Sequence, residues 1–329
     1  MLARPDRVSL SLTPTPLEAL PALSRRFGVE MHAKRDDLTG VPLSGNKVRK
    51  LEYLLAEAQR EGADLVITCG GVQSNHCRAT AIAARKLGMD SVLLLRVPDP
   101  AAPPPVEGNV LLDRLVGATL RYITPAEYRE RRKHLALVAA EQQAAGRRPY
   151  IIPEGGSNAL GSLGYVHCVE EIAAQLPPGP ATIVSAAGSG GTAAGLILGV
   201  KALGLPWRVV IFNVCDDRDY FVRVIGEIVE EAITRYAPAM TFSRDEIEIV
   251  DGYVGEGYAK SRPAELKRIA EAARAEALFL DPVYTGKAFF GMTSELEKNP
   301  RAFGERIVFL HSGGIFGLFP KAAEIDAVI

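Results

Sequence analysis

Apolar and polar positions in this chain switch repeatedly between two periods. DLVITCGG (64–71) is a near-continuous apolar run, the mark of a buried strand, and SNHCRATAIAARKLG (74–88) then repeats apolar residues at helical spacing. The alternation continues with strands at SVLLLR (91–96), TLRYIT (119–124), PYIIP (149–153), ATIVSAA (181–187), WRVVIFNV (207–214), near 246–250, and at RIVFLHS (306–312). Between them the pattern predicts helices near 109–118, 125–146, 161–176, 192–204, 219–236, 263–276 and 286–297. Strands separated by helices of this length imply right-handed crossovers and parallel sheet, hence an α/β fold. The proline-rich VPDPAAPPPVEG (97–108) lies inside the series and reads as an excursion, not a domain linker.

Composition narrows the classes. A hydrophobic content of 47% over 329 residues suits one large or two ordinary domains. Basic and acidic residues balance at 38 and 39, which gives no electrostatic reason to expect nucleic acid or an anionic membrane as partner. Residues 181–200 carry no charge, but glycines at 188, 190 and 191 interrupt them, so strand, turn and helix explain them better than a membrane span. MLARPDRVSLSLTPTP holds no apolar run long enough for a signal peptide. Cysteines at 69, 77, 168 and 215 form no Cys-x-x-Cys pair and read as reduced thiols in a cytoplasmic protein.

Candidate chemistry sits where strands turn into helices. In LSGNKVRKLE (43–52), Ser44 or Asn46 can cap a helix whose first turn carries Lys47. A helix N-terminus bears roughly +0.5 of an elementary charge. With Arg49 and Lys50 also near, the Lys47 ammonium is disfavoured and its pKa should fall, which suits a nucleophilic amine. Lys50 is the rival candidate. In GGVQSNHCR (70–78), Ser74 or Asn75 caps the next helix, and free amides there suit a carboxylate or phosphate. His76–Cys77 and His167–Cys168 are helix neighbours that point apart, and nothing stands at zinc spacing, so no metal is expected.

SAAGSGGTAAG (185–195) fits the relaxed dinucleotide pattern G-x-G-x-x-A from Gly188 to Ala193, with Asp216 and Asp217 downstream. It equally suits a cup of amides, with the Ser189 and Thr192 hydroxyls, around one phosphate monoester. No Gly-Lys-Ser/Thr follows, which excludes a Walker loop. Tyr258 in DGYVGEGYA and Tyr284 in DPVYTGKAF lie in glycine-flanked loops and are candidates to face a ligand.

GNKVRKLEY, QSN, GSGGT, EGY, DPVYTGK and HSGG occur in this order in the pyridoxal-phosphate enzymes related to 1-aminocyclopropane-1-carboxylate deaminase and D-cysteine desulfhydrase, and from about residue 10 to 325 the chain resembles that family. The resemblance implies a tryptophan-synthase β-like (fold type II) architecture of two open twisted parallel-sheet domains. A small domain would cover 48–155, and 1–47 with 156–329 would form the large one. It implies Lys47 as the lysine that holds pyridoxal 5'-phosphate and Asn75 as partner of the cofactor's phenolic oxygen. Gly188, Ser189, Gly190, Gly191 and Thr192 would form the phosphate cup. Ser74 would stand beside the substrate carboxylate, and Tyr258 and Tyr284 would face a small amino-acid substrate. A homodimer is the family's usual state.

Where the cyclopropane-carboxylate deaminases carry Glu and Leu, this chain has Thr285 and Ser312. Hydroxyls can bond the pyridine nitrogen but cannot hold a proton on it as a carboxylate does. A weaker electron sink suffices when a good leaving group departs from Cβ. The expectation is therefore β-elimination, D-cysteine to pyruvate, hydrogen sulfide and ammonia. Cysteate sulfo-lyase and cyclopropane-carboxylate deaminase activity are the alternatives within the family, and an NAD-dependent dehydrogenase on the 188–193 fingerprint is the alternative outside it.

Overall fold

The computed structural model describes residues 2–329. Its strands are β1 (Leu17–Ala19), β2 (Glu30–Lys34), β3 (Leu65–Gly71), β4 (Asp90–Arg96), β5 (Thr119–Ile123), β6 (Pro149–Ile151), β7 (Ala181–Ala187), β8 (Trp207–Asn213), β9 (Glu248–Val250) and β10 (Arg306–Leu310). They form two sheets. One has six strands in the order β1-β2-β10-β7-β8-β9, and the other has four in the order β5-β4-β3-β6. Every pairing is parallel except the edge pair β1–β2. The chain is thus an α/β protein of two parallel-sheet domains, as the alternation requires. The short β1, β2 and the helix Pro21–Phe27 were not legible in the apolar pattern.

Central strands are buried on both faces, and their middles are correspondingly apolar: β4 is buried from Ser91 to Leu95, with Asp90 and Arg96 half-buried at its ends. Helices Lys47–Arg60, Ala159–Gln175 and Gly191–Ala202 belong to the largest apolar cluster, which runs from Val66 of β3 to Ile183 and Ile211 of β7 and β8. The helix that begins with Lys47 is also tied down by charge. Arg49 donates from Nε and Nη2 to Asp36 at 2.8 Å each, and to Glu171 at 2.8 Å. Lys34 pairs with Glu171 at 2.7 Å, and the Tyr165 hydroxyl donates to Asp36 at 2.6 Å.

Two local expectations are corrected. The helix expected over 125–146 is broken into Pro125–Arg129 and Arg131–Ala144 at Glu130 (φ −96°, ψ 26°). On either side of the break, Tyr128 and Arg131 both reach Glu154, so tertiary bonds override a continuous helical pattern. Neither Ser44 nor Asn46 caps the Lys47 helix, because Asn46 is itself helical and its side chain is engaged elsewhere.

Candidate active site

Parallel strands point their carboxyl ends the same way, and ligands bind in the crevice beyond those ends. A cavity of about 460 Å³ lies there. Residues at or just beyond the ends of β3, β4, β7, β8 and β10 line it: Gly71, Arg96, Gly188, Cys215 and Ser312 are examples.

Lys47 opens its helix and lines this cavity; Lys50, one turn on, does not. Lys50 is fully buried and donates instead to the Gly155 carbonyl and the Ser157 hydroxyl, at 3.2 and 3.3 Å. Lys47 Nζ donates to Asn46 Oδ1 at 2.8 Å and lies 5.8 Å from the centre of the Tyr284 ring. Asn46 Nδ2 in turn donates to Thr192 Oγ1 at 3.0 Å, so the amine is linked to the glycine loop through one side chain.

The Lys47 pKa is lowered to about 8, in the expected direction but for a different first cause. Burial is the largest effect, and the cation that adds to it is Arg78; Asp281 and Glu154 oppose them. Arg49 does not contribute as expected, since Asp36 and Glu171 neutralise it inside the core. Lys50 is itself pushed well down by burial and then by Lys47.

Ser74 caps the helix Asn75–Lys86, accepting from the Cys77 amide at 3.1 Å. Asn75 Oδ1 accepts from Asn109 Nδ2 at 3.1 Å, and Asn109 Oδ1 accepts from Arg78 Nε at 2.9 Å. Arg78 spends its other donors on the carbonyls of Pro42 and Ser44, the loop that delivers Lys47. Arg78 and Asn109 are positioning residues that the sequence reading passed over. Arg78 was visible one turn after Ser74, but Asn109 carried no local signal. His76 is buried and neutral, its Nε2 2.8 Å from Thr68 Oγ1.

At the β7 turn, Gly188, Ser189, Gly190 and Thr192 line the cavity, while the Gly191 amide donates to Ser157 Oγ at 3.2 Å. Gly190 has φ +83°, a left-handed conformation that a side chain disfavours. Among the described residues no protein group accepts from the amides of Ser189, Gly190 and Thr192. Unspent donors at the start of a helix are a cradle for a phosphate dianion. Asp217, one of the pair noted for a dinucleotide site, caps the helix Arg218–Tyr236 instead.

Tyr258 and Tyr284 both line the cavity, their hydroxyls 2.6 Å apart and their rings edge-on with centroids at 5.9 Å. Burial pushes Tyr258 up to about 12 against the opposing bond from Tyr284, so both phenols stay protonated at neutral pH. Ser312 lines the wall near Asn46, whose amide donates to the Ser312 carbonyl at 3.0 Å. Thr285 stands apart from the other sequence candidates. It is fully buried behind Tyr284, its hydroxyl donating to Asp281 Oδ1 at 2.7 Å and accepting from the Asp281 amide at 2.9 Å.

A buried lysine of lowered pKa, linked through Asn46 to a loop with unspent amides at a helix start, supplies the two kinds of group, an amine and an anion cradle, that pyridoxal phosphate needs. Residues 8–313 match the family described as pyridoxal-phosphate dependent enzyme. The chain belongs to this family. It is 42% identical to the bifunctional D-cysteine desulfhydrase/1-aminocyclopropane-1-carboxylate deaminase, mitochondrial, of Arabidopsis thaliana, over 98% of this chain and 81% of that one. It is 39% identical to the D-cysteine desulfhydrase of Yersinia pestis over 97% of both chains. A crystal structure of a homologue of 1-aminocyclopropane-1-carboxylate deaminase superposes with a TM-score of 0.91 at 40% identity, covering 98% of this chain and 96% of the other. The protein is therefore a pyridoxal-phosphate-dependent lyase of fold type II, and the dehydrogenase alternative is set aside. Among the described residues no helix is long and apolar enough to cross a membrane.

Proposed function

We propose that this lyase catalyses β-elimination from a small amino acid, converting D-cysteine to pyruvate, hydrogen sulfide and ammonia. The observation that carries this reading is that hydroxyls, Ser312 and Thr285, stand at the two positions in question and that the acid bonded to Thr285 is already fully engaged. The acid there, Asp281, is saturated by the amides of Val283, Tyr284 and Thr285 at 2.8–2.9 Å and by the Thr285 hydroxyl. When bound, pyridoxal phosphate supplies an electron sink for negative charge at the amino acid's Cα. Without a carboxylate to hold a proton on its ring nitrogen, that sink suits a substrate whose leaving group carries electrons away.

In this reading Lys47 holds the cofactor and, once freed by substrate, moves the Cα proton. The free amides of Ser189, Gly190 and Thr192, with the Ser189 and Thr192 hydroxyls, hold the phosphate; the Gly191 amide is spent on Ser157. Asn75 faces the phenolic oxygen, and Ser312 is the hydroxyl that meets the ring nitrogen, while Thr285 is buried behind Tyr284 and bonded to Asp281. Ser74 and the adjoining helix start receive the substrate carboxylate. The paired phenols of Tyr258 and Tyr284 close the opposite side and can donate a proton to the departing group. The units that close on the cofactor are residues 48–155, and 1–47 with 156–329; the first contains all four strands of the smaller sheet. A cytoplasmic homodimer completes the proposal, supported by free cysteines and by exposed apolar side chains such as Val41 and Leu12.

Deaminase activity is the second reading, favoured by the bifunctional plant relative. Two measurements on one preparation test the lysine and the reaction. Borohydride reduction of the holoenzyme and peptide mapping should place the pyridoxyl group on Lys47. The same preparation should release sulfide and pyruvate from D-cysteine faster than it opens the ring of 1-aminocyclopropane-1-carboxylate. An adduct on Lys50 refutes the site, and faster ring opening refutes the hydroxyl argument.

A further inference from the structure

Lys287 does not line the cavity, yet its side chain is fully buried. It sits in the first turn of the helix Thr285–Lys298, where no acidic side chain offsets the positive helix end. Among the described residues no carboxylate pairs with it. Glu265, the acid whose charge favours its ammonium most, is taken by Arg262 at 2.7 Å. Lys287 Nζ donates instead to two backbone carbonyls, Val254 at 2.5 Å and Gly257 at 2.7 Å. A buried charge without a counter-ion costs stability. What this one secures is the segment between those carbonyls.

Residues 251–262 have no regular secondary structure. Gly252, Gly255, Gly257 and Ala259 all have φ between +59° and +115°, so the backbone is not self-supporting there. Over 254–260 its own bonds are long: the Gly257 amide reaches the Val254 carbonyl at 3.4 Å, and the Lys260 amide the Gly257 carbonyl at 3.3 Å. These are the two carbonyls that Lys287 binds. Tyr258 follows Gly257, and Tyr284 stands three residues before Lys287, so one side chain ties together the two backbones whose phenols meet at 2.6 Å. The Tyr258 ring otherwise lies against Gly71, where an added Cβ would come within 3.3 Å of it, and under the Arg96 guanidinium, 5.2 Å from its centre. Neither contact is a directional bond, so the place of the hydroxyl depends on the loop backbone.

We propose that Lys287 is a positioning residue of the elimination: it clamps the loop at Val254 and Gly257 so that Tyr258 and Tyr284 act as one proton donor to the departing group. This deepens the lyase reading and rests on it. As the Cβ–S bond of the substrate breaks, both electrons go to sulfur. The sulfur takes a phenolic proton and leaves as hydrogen sulfide, and solvent water returns a proton to the phenolate. A hydroxyl bonded to a second one at 2.6 Å is held on target through that partner; moved by about 1 Å, it loses both the bond and its aim, a displacement that can cost about 100-fold in rate.

The test compares, on holoenzyme, D-cysteine with β-chloro-D-alanine, whose chloride leaves without a proton. Lys287→Met should lose about 100-fold in kcat/KM on D-cysteine and less than about threefold on β-chloro-D-alanine. Tyr258→Phe should show the same split. The double variant should be within about threefold of Tyr258→Phe alone, since a clamp matters only through the tyrosine it holds. Lys287→Arg, which keeps the donors, should recover part of the loss. A second readout needs no turnover. Lys260 is exposed, and trypsin should cut after it at least about tenfold faster in Lys287→Met than in wild type, because two lost hydrogen bonds let the loop open. Unchanged cleavage overturns the clamp. Equal losses on both substrates, or losses that multiply in the double variant, overturn the positioning of the donor and leave the lyase reading intact. Turnover of β-chloro-D-alanine with none of D-cysteine refutes the proposed function and the donor role together. If Lys287→Met does not fold, Lys287→Gln, whose shorter amide can keep one of the two bonds, should show the same split at about tenfold, and an equal loss on both substrates again refutes the assignment.

Discussion

Lys47 titrates near pH 8 in the folded protein and near its ordinary value of 10.5 when the chain unfolds, because burial and Arg78 disfavour its ammonium more than Asp281 and Glu154 favour it. Below pH 8 both states are protonated and the folded state bears the whole penalty. Between pH 8 and 10.5 the unfolded state holds more protons, so stability rises with pH, and above 10.5 both are neutral. The difference corresponds to at most about 3.5 kcal/mol, since each pKa step is worth roughly 1.4 kcal/mol. Other groups titrate in the same range, so the informative quantity is the gap between wild type and Lys47→Met, both without cofactor. Urea unfolding of both proteins at pH 7, 8, 9, 10 and 10.5 measures it. Wild type should gain up to about 3 kcal/mol on the variant across this range, most of it above pH 8. A gap independent of pH would show that Lys47 is not held in a disfavouring environment. A gap moving the other way would mean that Asp281 and Glu154 dominate.

Gly190→Asp places a side chain at φ +83°, with its Cβ 3.1 Å from Val224, and a carboxylate in the anion cradle; cofactor affinity, read by absorbance titration, should fall by about two orders of magnitude, and unchanged affinity would place the phosphate elsewhere. Asp36→Asn leaves Arg49 and Lys34 sharing only Glu171 in the core; denaturant unfolding should show a loss of about 3–5 kcal/mol, and a loss below about 1 kcal/mol would mean the network is dispensable.

The alternation of apolar runs and helical spacings was sufficient for the α/β class, because strands buried on both faces must be apolar along their whole length. It did not reveal β1 or β2, a three-residue edge and a mixed strand whose positions come from pairing with each other and with β10. It also hid the break at Glu130, which depends on Glu154 arriving from a loop distant in sequence. Within the site, Lys47, Ser74, Asn75 and the loop 188–192 were legible because each stands at a strand-to-helix or turn-to-helix junction, where local chemistry marks the chain. Sequence also indicated that the Lys47 pKa falls. Tertiary structure decided why: burial and Arg78 act on the amine, while Arg49, its near neighbour in sequence, is consumed by Asp36 and Glu171. The same holds for Thr285, whose hydroxyl is turned to Asp281, and for Arg96, which reads in sequence as the ordinary polar end of an apolar strand. A cation's role is set by which partners fold beside it: Arg49 meets two carboxylates in the core, and Arg96 the rings of Tyr128 and Tyr258.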